Sequence, residues 1–245
     1  MIGVIIQARL GSKRLPNKVM KTIEGKILFD VMINRVKKAK IIDKLIVATS
    51  KNEINKKILR YCQKNKIDYF VGSEKDVMSR YVKAAKKYKI STIIRLTADC
   101  PLIDPKDIDK LYKIYLNNYD YVSNTCPNHL SYFPDGSDIE IFELKTLEKI
   151  NKEEKRKKFR EHVTLNYQNK KRYKTYILKD KKDNSNIRYT LDYKKDFKVL
   201  QNIFNFFKNK IEEVSRNEIV KYLTNNKNVY LINDSCKIQA QKWKK

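Results

Sequence analysis

Glycine and proline are scarce, five of each in 245 residues, which leaves no stretch loose enough to serve as a flexible interdomain linker. Cysteine is rarer still: Cys62, Cys100, Cys126 and Cys236 stand far apart, with no CxxC pair. That spacing argues against a zinc site and a disulfide framework and fits a reducing compartment. No apolar run approaches the roughly 20 residues that span a bilayer, and the start, Met1 to Gln7, lacks the basic region and cleavage site of a signal peptide. The expectation is a cytoplasmic protein without membrane contact. Acidic residues are the other shortage, 28 Asp and Glu against 55 Lys and Arg, for a net charge of +27. So large a charge raises the possibility of a nucleic-acid binder. However, the lysines recur on the solvent side of nearly every expected helix, as at Lys37-Lys38 and Lys86-Lys87, and no zinc-finger, RNP-type or basic-zipper pattern is present. They read as a solvated coat that also attracts anionic substrates, with no specific nucleic-acid partner.

What is present is a hydrophobic fraction of 41%, enough for a real core, arranged with two alternating periods. Ile2 to Gln7 is a continuous apolar run, the mark of a strand buried on both faces. A loop follows, then Leu28, Val31, Met32, Arg35, Val36 and Ala39 at helical spacing. Residues 45–49 form the next strand and 53–65 the next helix. A short strand over 69–71 precedes a helix carrying Val77, Met78, Tyr81, Val82 and Ala85. Residues 92–97 make a fourth strand, and a helix begins near Pro105. This order predicts an α/β fold, a mostly parallel sheet with helices on both faces. After Tyr121 the pattern changes. Residues 129–190 carry strand-like pieces at 138–142 and 173–178 and a very basic helical stretch around 155–163. They read as a subregion inserted into a single domain over 1–245, an arm fit to pair with a second subunit. A last strand over 187–191 and two helices, one over Phe197 to Phe207 and one around Ile219 to Leu223, close the chain.

Parallel sheets bind ligands beyond the carboxyl ends of their strands, and the least ordinary residues fall there. After the first strand comes Gln7-Ala8-Arg9-Leu10-Gly11-Ser12-Lys13-Arg14-Leu15-Pro16-Asn17-Lys18, with four cations, a glycine, a hydroxyl and a stiffening proline. Such a loop can wrap a triphosphate with backbone N–H groups while its cations neutralise charge; it lacks the Walker spacing. The fourth strand ends in Arg95-Leu96-Thr97-Ala98-Asp99-Cys100-Pro101, where the Asp99 carboxylate can hold Mg²⁺. Asp104-Pro105 reads as a helix cap and first turn, hence structural. The last strand ends at Leu191-Asp192-Tyr193 and offers a second carboxylate to close the metal site.

In this order, the loop from Ile5 to Lys18, the run Thr97 to Asp104, Pro134-Asp135-Gly136, Arg160-Glu161-His162-Val163 and Leu191-Asp192-Tyr193 resemble the cytidylyltransferases related to the acylneuraminate- and Kdo-activating enzymes. They are most like the SpsF branch of spore coat polysaccharide biosynthesis proteins. The resemblance covers about residues 2–205. It implies a Rossmann-like, GT-A-like nucleotidyltransferase fold with a dimerisation arm. It also implies triphosphate contacts from Arg9, Ser12, Arg14 and Lys18, and Mg²⁺ on Asp99 and Asp192. Gln7, Ala8, Gly11, Lys13 and Thr97 complete the expected nucleotide side. Asp135, Asp138, Glu140, Arg160, His162 and Arg188 are the expected acceptor side or supports of the arm. Two positions depart from the pattern. Ala98 stands where the branch usually has Gly. Val19 follows the loop lysine, where sialate-activating members usually have Asn and Kdo-activating members Pro.

The implied reaction passes CMP from CTP to an acidic sugar or a phosphorylated small acceptor and releases pyrophosphate. A glycosyltransferase on a related fold is the rival enzyme, but no clear Asp-x-Asp follows a strand. A basic nucleic-acid binder is the rival outside enzymes, and the dispersed charge speaks against it.

Overall fold

The fold is described from a computed structural model that covers residues 1–125 and 131–237; Cys126 and His129 lie outside the described residues. The chain opens with β1 (Ile2–Gln7), whose four central residues are all buried, as an unbroken apolar run requires. A short hairpin of β2 (Thr22–Ile23) and β3 (Lys26–Ile27) leads into α1 (Leu28–Val36). Then strand and helix alternate: β4 (Lys44–Ser50), α2 (Lys56–Lys64), β5 (Asp68–Gly72), α3 (Val77–Lys87), β6 (Thr92–Thr97) and α4 (Pro105–Tyr115). The second half holds β7 (Tyr121–Ser123), β8 (Glu140–Glu143), α5 (Leu144–Glu153), α6 (Lys157–His162), β9 (Thr175–Ile177), α7 (Lys194–Phe207), α8 (Arg216–Asn225) and α9 (Lys227–Tyr230).

Seven strands form one sheet in the order β5-β4-β1-β6-β8-β7-β9. Every neighbouring pair is parallel except the two that involve β8, which runs against both β6 and β7. The reversed strand brings its first residue, Glu140, opposite Arg95 near the end of β6 and opposite Ser123 at the end of β7. One edge of the sheet therefore collects the carboxyl ends of six strands and the start of the seventh. Alternation along β1 separates two cores. Val4 and Ile6 pack with Phe29, Met32, Ile58, Ile108 and Leu111 on one face. Ile5 packs with Met78, Tyr81, Leu147 and Ile150 on the other. A third cluster joins α1 to α7 and α8 through Leu28, Val31, Val199, Phe204 and Ile219.

A buried charge ties that third cluster down. Arg35, fully buried, donates to the carbonyls of Leu102, Ile103, Ile211 and Val214 at 2.7–3.3 Å. Spreading its donors over four carbonyls is what makes an unpaired guanidinium tolerable in the core. Asp104 caps α4 as expected, accepting from the Lys106 amide at 2.9 Å, with Pro105 in the first turn. It also accepts from the Arg216 amide at 2.8 Å and so joins α4 to α8.

Three local expectations change. The strand anticipated at 187–191 is reduced to a single bridge between Asp135 and Arg188. Its backbone groups are taken by other partners: Tyr189 and Thr190 donate to the Asp135 carbonyl, and Leu191 donates to the Asp99 carbonyl. The helix α5 and strand β7 were not anticipated. Finally, the strand-like pieces between 129 and 190 become β8 and β9, which pair within the chain's own sheet.

Candidate active site

The loop after β1 is wound about Leu10, which is fully buried. The amides of Ser12 and Asn17 both donate to the Leu10 carbonyl, at 2.8 and 3.3 Å. The Leu10 amide donates to Oδ1 of buried Asn55 at 2.8 Å, and Asn55 Nδ2 donates to Ser50 Oγ at the end of β4 at 2.8 Å. Asn55 thus fastens the loop to the sheet. The sequence offered no sign of this beyond an amide near a helix start. Leu15, a second apolar peg, is buried, and its amide donates to Ser12 Oγ at 3.3 Å. The amides of Gly11, Lys13 and Arg14 have no acceptor among the described residues. They remain available to phosphate oxygens, as the loop composition suggested.

The loop ends on Lys18, buried at the start of a 3-10 turn that follows Asn17 in left-handed backbone (φ 54°). Its ammonium donates to Asp99 Oδ2 at 2.8 Å and to Asp192 Oδ1 at 2.9 Å. The two carboxylates expected to share a cation therefore meet on one positive charge, although Asp192 lies 174 positions from Lys18. Two bonds to the Asp99 carbonyl hold the carboxylate-bearing segments together, one from the Leu191 amide at 2.8 Å and one from Thr190 Oγ1 at 3.0 Å. Arg14 reaches Asp192 Oδ1 at 3.0 Å while its guanidinium lies over the Tyr193 ring.

Burial opposes ionisation of both carboxyls, but neighbouring cations prevail. Lys18 holds Asp99 below its ordinary value against the repulsion of Asp192. Lys18, Arg14 and Arg188 together hold Asp192 down to about 2. The Lys18 ammonium, despite its own desolvation, is raised by the two aspartates. Both carboxylates keep contact with solvent, at 29% and 22% side-chain exposure. Among the described residues no cluster of three or more His, Cys, Asp or Glu side chains forms a metal cage. Two ionised carboxylates with open faces fit Mg²⁺, which completes its shell with phosphate oxygens and water. They do not fit a structural zinc.

Behind Asp192 stands a support that the sequence did not reveal. Asp196 is fully buried and accepts from the Asp192 and Tyr193 amides at 2.9 Å, and from Asn233 Nδ2 at 2.8 Å. Arg188 donates to both its oxygens at 2.9 Å through Nε and Nη2. The same guanidinium also pairs with Asp135 and reaches Asp192 at 3.4 Å. An acid four residues after Asp192, in the first turn of a helix, was the available signal. Gly136 fits the adjacent turn because its φ of 118° and its approach to Tyr189 and Thr190 leave no room for a Cβ.

The remaining expected residues divide. Gln7, Thr97 and Asp99 sit at paired strand ends, with Gln7 opposite Thr97, and buried Ala8 continues β1 through a bond to the Ala48 carbonyl. Arg9 and Lys13 are exposed and make no hydrogen bond or ion pair among the described residues. Asp138 accepts from Thr125 Oγ1 at 2.5 Å. Glu140 is taken up by Arg95, Tyr121 and Thr164. Arg188 is 3% exposed and fully engaged by carboxylates. Arg160 is spent on Asp76, on Asn151 and on the Glu154 carbonyl, bracing α5 against α3. The charges of Glu140, Arg160 and Arg188 are thus engaged by partners within the protein. His162 ends α6 just before Val163, a β-branched residue at φ 64°, and the Thr164 amide donates to the His162 carbonyl at 2.6 Å. That is a tight, rare turn. Cys100 is buried between Thr97 and Thr190, and burial pushes its thiol well up, so it serves as small packing.

The sheet edge thus gathers an amide-rich basic loop, two ionised aspartates and a shared lysine. Comparison with known proteins identifies the family. The family model described as cytidylyltransferase matches residues 3–235. The spore coat polysaccharide biosynthesis protein SpsF of Bacillus subtilis is 30% identical over 91% of this chain and 93% of its own. A cytidylyltransferase structure from Leptospira borgpetersenii is 32% identical, with a TM-score of 0.87 over 94% of this chain and 96% of that one. At 14% identity a CMP:2-keto-3-deoxy-manno-octonic acid synthetase structure complexed with CTP shares the fold, with a TM-score of 0.62 over 84% of this chain and 98% of that one. The fold is thus the Rossmann-like nucleotidyltransferase fold, and this chain belongs to the cytidylyltransferase family.

Proposed function

We propose that the chain transfers CMP from CTP to an acidic sugar of the ulosonic type, with Mg²⁺ and with release of pyrophosphate, in the making of a surface polysaccharide. The observation that carries this reading is the Lys18 ammonium shared by Asp99 and Asp192 beside a loop with unspent amides. The family membership supports the nucleotide, and the polysaccharide role named for SpsF supports the setting.

In this reading the amides of Gly11, Lys13 and Arg14 and the free Arg9 and Lys13 side chains receive the triphosphate. Arg14 and Lys18, held ready by Asp192 and Asp99, turn part of their charge toward the phosphates once CTP is seated. Mg²⁺ held by Asp99 and Asp192 would stabilise charge building on the phosphate oxygens. The acceptor oxygen attacks the α-phosphorus in line as the bond to pyrophosphate breaks, and the protein's part is alignment and electrostatics. Asp135 and Asp138 border the acceptor side, and His162 is its candidate imidazole. No strong general base is required if the acceptor hydroxyl is itself acidified by a neighbouring carboxylic group.

The test is pyrophosphate release with each of four nucleoside triphosphates against acidic sugars and phosphorylated small acceptors. CTP with an ulosonic acid should give the fastest turnover. Equal rates with all four triphosphates would remove the cytidine assignment, and turnover only with phosphorylated acceptors would remove the acidic sugar. The reading includes a homodimer, which light scattering at micromolar concentration checks by mass.

A further inference from the structure

Arg80 is the least compensated buried charge among the described residues. It lies on α3, is 2% exposed, and forms no ion pair among the described residues. Its one side-chain hydrogen bond runs from Nη1 to the Ser73 carbonyl at 2.8 Å, while its Nε is buried without any acceptor. Arg35 is buried too, but four carbonyls absorb its donors. Arg188 is buried among aspartates. Arg80 has neither four carbonyls nor a paired carboxylate, and a buried cation so thinly partnered is costly.

Its surroundings add like charge. Desolvation is the first cause that holds its guanidinium below the usual value, and Arg9 and Arg95 add to it against the opposing pull of Tyr81 and Glu74. Arg95, over the Tyr81 ring, keeps a buried Nε without an acceptor even though it pairs with Glu140. Gln7, on the same face of β1 as Ile5, adds a buried Oε1 without a donor. Gly72, the last residue of β5, makes room for the Arg80 stem: a Cβ there would lie 2.9 Å from Arg80 Cγ. These groups lie on the α3 face, at the carboxyl ends of β5, β1 and β6. Asp135 and Asp138, by contrast, precede β8 on the other flank.

We infer that Arg80, backed by Arg95 and continued outward by Arg9, is an anion subsite that takes phosphate oxygens of the bound nucleotide. The inference rests on the triphosphate role given above to residues 9–18. Phosphate is favoured over an acceptor carboxylate because Arg9 belongs to the loop and because Arg80 lies on the β5-β4-β1 half of the sheet. Phosphate oxygens there would supply the acceptors that the Arg80 donors lack.

The experiment is calorimetric titration of wild type and Arg80→Met with tripolyphosphate, CTP and cytidine, together with the melting temperature of each protein alone. Wild type should bind tripolyphosphate and CTP. Arg80→Met should bind both about tenfold more weakly and cytidine unchanged, and it should melt at or above the wild-type temperature without ligand. If Arg80→Met does not fold, Arg80→Gln is titrated with the same expectation. Tripolyphosphate affinity within twofold of wild type, or a loss confined to cytidine or to the acceptor KM, overturns the subsite while leaving the loop reading intact. Wild type that binds no tripolyphosphate and no CTP overturns both.

Discussion

Replacing Asp192 by Asn gives the sharpest test of the shared-ammonium arrangement, because side-chain size stays and one charge goes. In the folded protein the carboxyl is held at about 2 by Lys18, Arg14 and Arg188 against its own burial. In the unfolded chain an aspartate titrates near 3.9. A group whose folded value is depressed adds stability above its unfolded value and loses it as pH falls toward its folded value. The difference corresponds to about 2 kcal/mol at neutral pH, taking the partial exposure of the site as a modest discount. Asn can still accept from Lys18 and Arg14, so packing is spared and only the charge term is removed. Relief of repulsion with Asp99 returns a part of it. Urea unfolding of both proteins in chelator should show wild type more stable by about 1 to 2 kcal/mol at pH 7. The gap should stay level down to about pH 5 and narrow between about pH 4 and pH 2. Pyrophosphate release by the variant should fall at least about a hundredfold. A gap below about 0.5 kcal/mol, or one that widens on acidification, would refute the reasoning.

Gly136→Ala should destabilise the fold by about 2 to 4 kcal/mol, since a Cβ would stand 2.6 Å from the Thr190 amide in backbone at φ 118°; thermal melting reads this directly. Asp104→Asn should cost about 1 to 3 kcal/mol, because one carboxylate now serves both the Lys106 and Arg216 amides and an Asn NH₂ would face a donor; nearly normal turnover with a lowered melting temperature is the expected pair. Binding to DNA or RNA should be non-specific and collapse between about 50 and 200 mM salt; sequence-selective binding at physiological salt, by mobility shift, would contradict the dispersed-charge reading.

The first half of the fold was legible because each element carries one clean period. Ile2 to Gln7 is apolar throughout, and Val77, Met78, Tyr81, Val82 and Ala85 trace one helical face that the structure buries. Asp99 stood out as a carboxylate just past the end of a strand, and Lys18 as the last cation of a loop whose composition suits phosphate. The second half was harder because its backbone bonds are not local. Residues 187–191 look extended, but their amides find Asp135 and Asp99 and no ladder forms. Asn55 was missed because it acts through a long-range bond to Leu10 that no spacing rule reveals, and Asp196 because its local capping position gives no hint of its bonds to Arg188 and Asn233. Arg160 and Arg188 were expected on the acceptor side or as supports of the arm, and spacing alone does not show the internal carboxylates that each one meets.

The reach of the buried Asp196 has a consequence for biosynthesis. Lys18 and its second carboxylate are 174 positions apart, and Asn233, which steadies Asp196 and the Arg188 carbonyl, follows Arg188 by 45 more. At about 5 to 20 residues per second, a ribosome would need roughly 10 to 35 s to travel from the lysine to the aspartate it must meet. Throughout that interval the nascent chain carries the basic loop without the partner that restrains it. The cluster of Lys18, Asp99 and Asp192 is therefore completed late, and its last support arrives only when Asn233 has been made.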